Sequence, residues 1–178
     1  MSNPIGTFIA DALRPWFTKK LQTQPDFIIG PTDDPYMYRW YVIPKNRWFN
    51  IYLHQFHRSD EPRAEHDHPW HSLSLILDGC VHEIYGNPAD NIRAITKGQI
   101  VYRSAKFTHR IVFHKVLNSL SKYAHTLPIT LFITGPKIRD WGFHCPKGWV
   151  PWQQFTSDTP ENKRLTRNSR VGRGCGEE

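Results

Sequence analysis

The sequence predicts a mainly β fold, a barrel or sandwich of short strands preceded by one α-helix. Apolar residues recur at helical spacing over residues 4–21. From residue 31 onward the pattern changes to short apolar or alternating runs, which are separated by clusters of Gly, Pro, Asn and Asp. Many short strands with frequent turn signals are typical of sandwiches and barrels.

The chain has 178 residues, of which 39% are hydrophobic, and this suits one domain with its own core. We expect a helix and lead-in over residues 1–30, a β-barrel over 31–156 and a flexible basic tail over 157–178, where hydrophobic periodicity stops. No apolar run approaches the roughly 18 residues that span a bilayer, and the first residues lack a signal-peptide layout. We therefore expect a cytoplasmic protein without a membrane partner.

Charge and cysteine content argue against several classes of protein. The formal net charge is +7, but there is no basic run with interleaved aromatic residues and no helix-turn-helix or zinc-finger spacing, so no nucleic-acid partner is expected. Cys80, Cys145 and Cys175 form no CxxC pair and no disulfide framework, so we expect reduced thiols. Nucleotide-binding and hydrolase motifs such as GxGxxG and GxSxG are also missing from the sequence.

The N-terminal helix is predicted from Pro4 to Leu21. Asn3 can cap its first turn, and proline suits the first helical position. Pro15 lies inside the pattern and is expected to kink or split the helix. The apolar stripe that should pack on a sheet consists of Phe8, Ile9, Leu13, Trp16, Phe17 and Leu21.

Short strands are predicted between the turn signals of the barrel region. Dipeptides such as Asp78-Gly79 and Gly135-Pro136 mark the turns. The predicted strands are 37–43, 49–56, 73–77, 81–85, 92–95, 99–103, 110–113, 129–134 and 138–143.

The segment His66-Asp67-His68 is the most informative part of the sequence, because two histidines one residue apart on a strand point to the same face. Neutral imidazoles are common metal ligands. His109 follows the predicted strand at 99–103 after a short break and would bring a third imidazole to the same place. Three neutral ligands with open coordination positions suit a catalytic centre better than a closed structural one.

The Asp78-Gly79 turn, interpreted as a two-residue hairpin, would fix the residues that share this face. Opposed residues of paired strands lie on one face, so Ser74 would oppose Glu83. The predicted cavity face consists of Ser72, Ser74, Ile76, Val81, Glu83 and Tyr85. The alternate residues of the first strand would point outward and need a cover, either the N-terminal helix or the partner in a homodimer; these are Leu73, Leu75 and Leu77.

The histidine pair resembles the first sequence motif of the cupin superfamily, G-x5-H-x-H-x3-4-E-x6-G. His66 and His68 take the two His positions and Gly79 takes the final Gly. Ser72 stands at the Glu position and Asp60 at the leading Gly, so the usual carboxylate is missing.

The third histidine resembles the second cupin motif, G-x5-P-x-G-x2-H-x3-N. Gly98 and His109 match it, whereas Ser104-Ala105-Lys106 and Phe113 replace P-x-G and Asn. The resemblance covers residues 37–143. It extends to Trp152 in a group of small bacterial and phage cupins that carry HDHPW early and an aromatic run late.

The resemblance implies a double-stranded β-helix, or jelly roll, with one metal ion on His66, His68 and His109. Some cupins, among them thiol, gentisate and diketone dioxygenases, hold iron with three histidines alone. Fe(II) is therefore the first expectation, with Zn, Mn or Ni as alternatives because imidazoles select weakly among these metals. Because it lies on the predicted cavity face, Glu83 is a candidate fourth ligand, a candidate acid or base, or a residue that orients a ligand histidine.

Three functional classes stay open. The first is a metal-dependent enzyme of small-molecule chemistry, with a dioxygenase as its most concrete form and Glu83 and Tyr85 as candidate catalytic residues. The second is a non-catalytic module that binds a small ligand, or a phage accessory protein. The third is a metal-free epimerase or isomerase with a histidine as base and Tyr85 as acid. Arg103 and Arg110 are candidates to bind a substrate carboxylate, although Arg110 is expected at the surface.

Overall fold

A computed structural model describes residues 3–30, 32–60, 62–86, 91–112, 127–156 and 174–176. Most of the predicted flexible tail, residues 157–173, lies outside the described residues. The described elements, in chain order, are α1 (Pro4–Leu21), β1 (Phe27–Ile29), β2 (Met37–Tyr41), β3 (Asn50–Phe56), β4 (Glu65–His66), β5 (Ser72–Asp78), β6 (Cys80–Tyr85), β7 (Asn91–Thr96), β8 (Ile100–Arg103), β9 (His109–Val112), β10 (Ile129–Thr134), β11 (Gly142–Cys145), β12 (Gly148–Pro151) and α2 (Trp152–Thr156).

The predicted bounds and cap of α1 are confirmed. The side-chain oxygen of Asn3 accepts a hydrogen bond from the backbone N–H of Gly6 at 3.2 Å, which satisfies one of the free donors of the first turn. The expected split at Pro15 is wrong, since a single helix runs through it. Helix packing on the sheet compensates for the backbone hydrogen bond that proline cannot donate.

The inner face of α1 covers two of the three outward leucines of β5. Ala10 and Phe17 are buried in one cluster with Leu75 and Leu77, whereas Leu73 is 37% exposed. Part of the predicted apolar stripe is wrong, because Phe8 is 75% exposed.

Two six-stranded antiparallel sheets form the β-domain. Their strand orders are β1-β2-β3-β10-β5-β8 and β12-β11-β4-β9-β6-β7. Residues from both sheets line one central cavity, so the sheets face each other as the two halves of a jelly roll. Two short strands, β1 and β12, were not predicted from the sequence, and the strand expected to carry both His66 and His68 ends at His66 as β4.

The predicted hairpin at Asp78-Gly79 is wrong, because β5 and β6 belong to different sheets. Gly79 has a φ of 76°, and at this one residue the chain bends out of the first sheet into the second. Glycine adopts this left-handed conformation without steric cost. The predicted cavity face is confirmed for Ser74, Ile76 and Val81, which line the cavity, whereas Ser72, Glu83 and Tyr85 are not among the described residues that line it.

A second glycine lies where α1 crosses the sheet. A side chain on Gly98 would meet the backbone of Thr7 at 2.7 Å, and the φ of Gly98 is 83°. The close approach of Thr7 and the left-handed backbone conformation both favour glycine at residue 98, which is the first glycine of the second sequence motif.

The expectation of reduced thiols is wrong for two of the three cysteines. Cys145 and Cys175 form a disulfide, and the backbone N–H of Gly174 donates to the carbonyl of Phe155 at 3.1 Å. Thirty positions separate the two cysteines, so only the folded chain brings them together. Cys80 is free and buried. Among the described helices, none is long and apolar enough to cross a membrane.

Candidate metal centre

His66 and His109 are placed by neighbouring strands. His66 ends the two-residue strand β4, which lies between β11 and β9, and its partner in β9 is His109. Cross-strand partners share a face, so both imidazoles enter the barrel, with ring centroids 4.9 Å apart.

His68 completes the group from the segment that follows β4. Its backbone N–H donates to the carbonyl of Ala105 at 3.2 Å. Its Nε2 atom lies 2.9 Å from Nε2 of His109. One ring nitrogen from each of His66, His68 and His109 lies within 4.8 Å of the others, and this group could hold a metal ion.

Burial keeps these imidazoles neutral. It lowers the pKa of His66 to about 4 and that of His68 well below its usual value. Near pH 7 both rings therefore present a lone pair rather than a positive charge. Three imidazole nitrogens, from His66, His68 and His109, fit a divalent transition metal with open coordination positions.

Glu83 contacts the Nδ1 side of the His109 ring, whereas the Nε2 side of that ring faces His68. The carboxylate is completely buried on β6, and its Oε1 atom is 2.7 Å from Nδ1 of His109. Because Nε2 of the same ring faces His68, these contacts favour the orienting role for Glu83, and direct ligation stays a prediction.

Two arginines fix the Glu83 carboxylate. Arg103 Nε donates to Oε1 at 2.6 Å and Arg93 Nε donates to Oε2 at 2.7 Å. Burial alone would raise the pKa of Glu83, but the contact with His109 and the charge of Arg103 outweigh it and lower the pKa to about 2. Glu83 is therefore ionised at neutral pH.

Tyr85 lies beside the group in register but packs away from the cavity. It is the partner of His109 across β6 and β9. Its ring stacks on Phe107 at 5.6 Å, and the guanidinium carbon of Arg93 lies 4.8 Å from its centroid. Tyr85 is not among the described residues that line the cavity, and its catalytic role stays a prediction.

The three histidines open into a cavity of about 560 Å³. Its walls are largely aromatic and include Phe56, Phe132, Trp70, Trp141 and Trp152. Trp141 and Trp152 stack with their centroids 5.7 Å apart, so the late aromatic segment packs beside the site. A cavity of this size suits a small molecule.

The sequence analysis missed the role of Asp67, which separates His66 from His68. Asp67 is 1% exposed and accepts hydrogen bonds from the backbone of Gly142 at 2.9 Å and from Trp149 Nε1 at 3.1 Å. Arg139 pairs with it at 2.7 Å. Asp67 thus ties the histidine segment to β11 and β12. Its alternation with two histidines was the available signal, because it places the carboxylate opposite to the imidazoles.

The two candidate arginines, Arg103 and Arg110, have different surroundings in the structure. Arg103 lines the cavity, but Glu83 and Ser74 take up its donors. Arg110 lies in a separate depression on the outer face of the second sheet, as expected. The sequence analysis did not single out Arg39, which lines the cavity together with His54.

Two facing antiparallel sheets define the architecture of the protein. The three histidines of the candidate metal site come from β4, from the segment that follows it and from β9. The two facing antiparallel sheets have the arrangement of a double-stranded β-helix, or jelly roll. No family model matches the chain, and no curated protein matches its sequence. The similarities to known proteins are therefore similarities of three-dimensional structure.

Three solved structures are similar to this chain. A protein with a double-stranded β-helix domain from Klebsiella pneumoniae is 15% identical, with 68% of this chain and 94% of that chain covered, at a TM-score of 0.45. A cupin superfamily protein from Desulfitobacterium hafniense is 14% identical, with coverage of 65% and 83%, at a TM-score of 0.42. A cupin-2 domain protein from Shewanella frigidimarina is 10% identical, with coverage of 67% and 88%, at a TM-score of 0.41. At these identities and scores, nothing about the chemistry of this chain follows from them.

Proposed function

We propose that this protein is a mononuclear metal-dependent enzyme that acts on a small molecule, with an Fe(II) dioxygenase as its most concrete form. The supporting observation is the convergence of three imidazoles on the wall of a cavity rich in aromatic side chains. His66, His68 and His109 would hold the metal. When bound, the metal would supply Lewis-acid chemistry and, if it is iron, a centre for reaction with O2. Zn, Mn or Ni are alternative metals, because the donor set does not select sharply among them.

Glu83 would act on the site through His109. A carboxylate at Nδ1 fixes the ring orientation and tautomer, and it strengthens the donor character of Nε2. Arg93 and Arg103 keep this carboxylate ionised and in place. The assembly positions a ligand histidine without itself occupying a coordination position.

The cavity walls would select and shield the substrate. The aromatic side chains exclude water from the volume in front of the histidines and present flat apolar surfaces. A small molecule is therefore the partner we propose, rather than a nucleic acid. A homodimer is a further proposal, because Leu73 and Tyr102 are partly exposed neighbours on β5 and β8.

Two other functions make different predictions. A non-catalytic cupin would bind a small ligand stoichiometrically without turnover. A metal-free isomerase would use His66 or His68 as base; the packing of Tyr85 against Phe107 gives no support to a tyrosine acid.

Metal reconstitution with activity measurement tests the proposal. Purified protein would be loaded separately with Fe(II), Mn, Ni or Zn, and O2 uptake and product formation would be followed with a panel of small thiols, diketones and carboxylates. We expect turnover with one metal and none in the His66→Ala/His68→Ala variant. Activity that survives chelation would instead indicate the isomerase, and saturable ligand binding without any turnover would indicate the binding module.

A further inference from the structure

Arg39 faces the cavity from the sheet opposite to the three histidines. It lies on β2 and is the cross-strand partner of His54 on β3. Both side chains line the cavity that contains His66, His68 and His109. A molecule in the cavity would thus lie between a guanidinium on one sheet and the candidate metal ligands on the other.

The contacts of Arg39 leave its positive charge uncompensated. Its Nε donates to Nε2 of His54 at 2.9 Å, and its guanidinium carbon lies 4.7 Å from the centroid of the Tyr52 ring. Among the described residues, no carboxylate forms an ion pair with Arg39. His54 cannot supply negative charge, because the nitrogen that accepts the hydrogen bond must be unprotonated and the ring is neutral.

Two other arginines that line the cavity, unlike Arg39, form ion pairs with carboxylates in the described part of the chain. Arg103 is paired with Glu83 at 2.6 Å, and Arg58 is paired with Asp34 at 3.4 Å. Arg39 holds its position through a neutral imidazole and an aromatic ring, which leave the outer nitrogens of the guanidinium fork for another acceptor. A partly buried cation of this kind gains most from an anion that enters the same low-dielectric space.

We infer that Arg39 binds a carboxylate of the substrate, and that the ligands of this protein are small organic carboxylates with an apolar body. A guanidinium matches the two oxygens of a carboxylate in bidentate geometry. The aromatic walls formed by Phe56, Phe132 and Trp141 accommodate the apolar part. As a statement about the substrate this rests on the proposed function, whereas the carboxylate site itself does not require a metal.

Binding measurements on probe pairs test this inference. Acetate, benzoate and phenylacetate would be titrated calorimetrically against acetamide, benzamide and phenylacetamide, which have similar shapes but no charge. Metal-free and Zn-loaded protein would be compared for wild type, Arg39→Met, Arg39→Lys and Arg58→Met. Arg58→Met is the matched control, because it removes an ion-paired arginine from the wall of the same cavity. Metal content and thermal unfolding would be recorded for every variant.

We expect wild-type protein to prefer phenylacetate over phenylacetamide by about tenfold or more, with and without metal. Arg39→Met should lose this preference, Arg39→Lys should keep part of it, and Arg58→Met should keep nearly all of it. Equal binding of acid and amide by the wild type, or equal losses in Arg39→Met and Arg58→Met, would overturn the inference. An Arg39-dependent preference in protein that binds no metal would leave the carboxylate site standing and refute the proposed metalloenzyme.

Discussion

Nδ1 of His109 lies 2.7 Å from Oε1 of Glu83, while Nε2 of the same ring lies 2.9 Å from Nε2 of His68. The imidazole therefore connects a buried carboxylate on one side with the candidate metal position on the other. Carboxylates in this position orient ligand histidines and increase their basicity. The site thus lacks the glutamate of the first cupin motif but contains a carboxylate that contacts a candidate metal ligand from behind.

Replacement of Glu83 by glutamine should weaken metal binding without abolishing it. The substitution keeps the size of the side chain but removes the charge that holds His109, and we expect the metal affinity to fall about 10- to 100-fold. Competition with a chromophoric chelator measures this change. Glu65→Gln is the matched control, because Glu65 is a buried carboxylate next to His66 that faces the outer side of the sheet. Complete loss of metal in Glu83→Gln would show that Glu83 is itself a ligand.

Asp67→Asn should destabilise the folded protein. The buried carboxylate pairs with Arg139 and accepts from Trp149 and from the backbone of Gly142, and loss of its charge leaves the arginine without its carboxylate partner. We expect the free energy of unfolding to fall by about 3 kcal/mol, measured by urea denaturation. Asp140→Asn, at an exposed ion pair with Lys137, should change it by less than about 1 kcal/mol. Equal effects of the two substitutions would refute this role for Asp67.

The metal-free protein should lose stability as the pH falls from about 6.5 to about 4. Burial lowers the pKa of His66 to about 4 from the ordinary value of 6.5, so between these values the unfolded chain binds a proton that the folded protein does not. Stability from this group is therefore complete above pH 6.5 and declines below it, by on the order of 1 to 3 kcal/mol.

Glu83 should extend this decline at lower pH. Its pKa is about 2 in the folded protein, against the ordinary value of 4.5, so its contribution is lost as the pH falls below 4.5. Urea unfolding curves at several pH values measure the contributions of His66 and Glu83 to the free energy of unfolding. In the comparison variant His66→Gln, this free energy should change less with pH above 4.5 than in the wild type. Stability that stays constant or rises between pH 6.5 and 4.5 in the wild type would contradict the assignment.

Reduction of the Cys145–Cys175 disulfide should lower the free energy of unfolding by about 3 kcal/mol. The bond closes a loop with a sequence separation of 30, and a cross-link of this length restricts the unfolded chain. Denaturation with and without a thiol reductant measures the effect. Cys175→Ser should match the reduced wild type and should not respond to the reductant. A wild type that is indifferent to reductant would mean that the bond does not stabilise the protein.

Local chemistry made the helix and the strand faces predictable. Asn3 and Pro4 determine where α1 begins, and alternation along the strands identifies Ser74, Ile76 and Val81 as residues that face the cavity. The spacing of His66 and His68 indicated an imidazole pair, because side chains alternate along a strand. His109 joins this pair through the pairing of β9 with β4, which brings together residues distant in sequence.

The remaining features depend on contacts that are distant in sequence. A turn such as Asp78-Gly79 does not reveal whether the chain returns within its own sheet or passes to the opposite one. The partners of Glu83 lie on β7, β8 and β9, and those of Asp67 lie near β11 and β12. Arg39 gave no signal of its own, since its importance comes from the absence of a nearby carboxylate among the described residues.

Metal analysis of protein purified without added metal tests the central claim most directly. Wild type, His66→Ala/His68→Ala and His71→Ala would be compared; His71 is the control, because this exposed histidine beside the motif contacts Tyr102 at 2.6 Å instead of the candidate centre. We predict near-stoichiometric metal in wild type and in His71→Ala, and its loss in the double variant. Wild-type protein that holds no metal, even after reconstitution with Fe(II), Mn, Ni or Zn, would contradict the account.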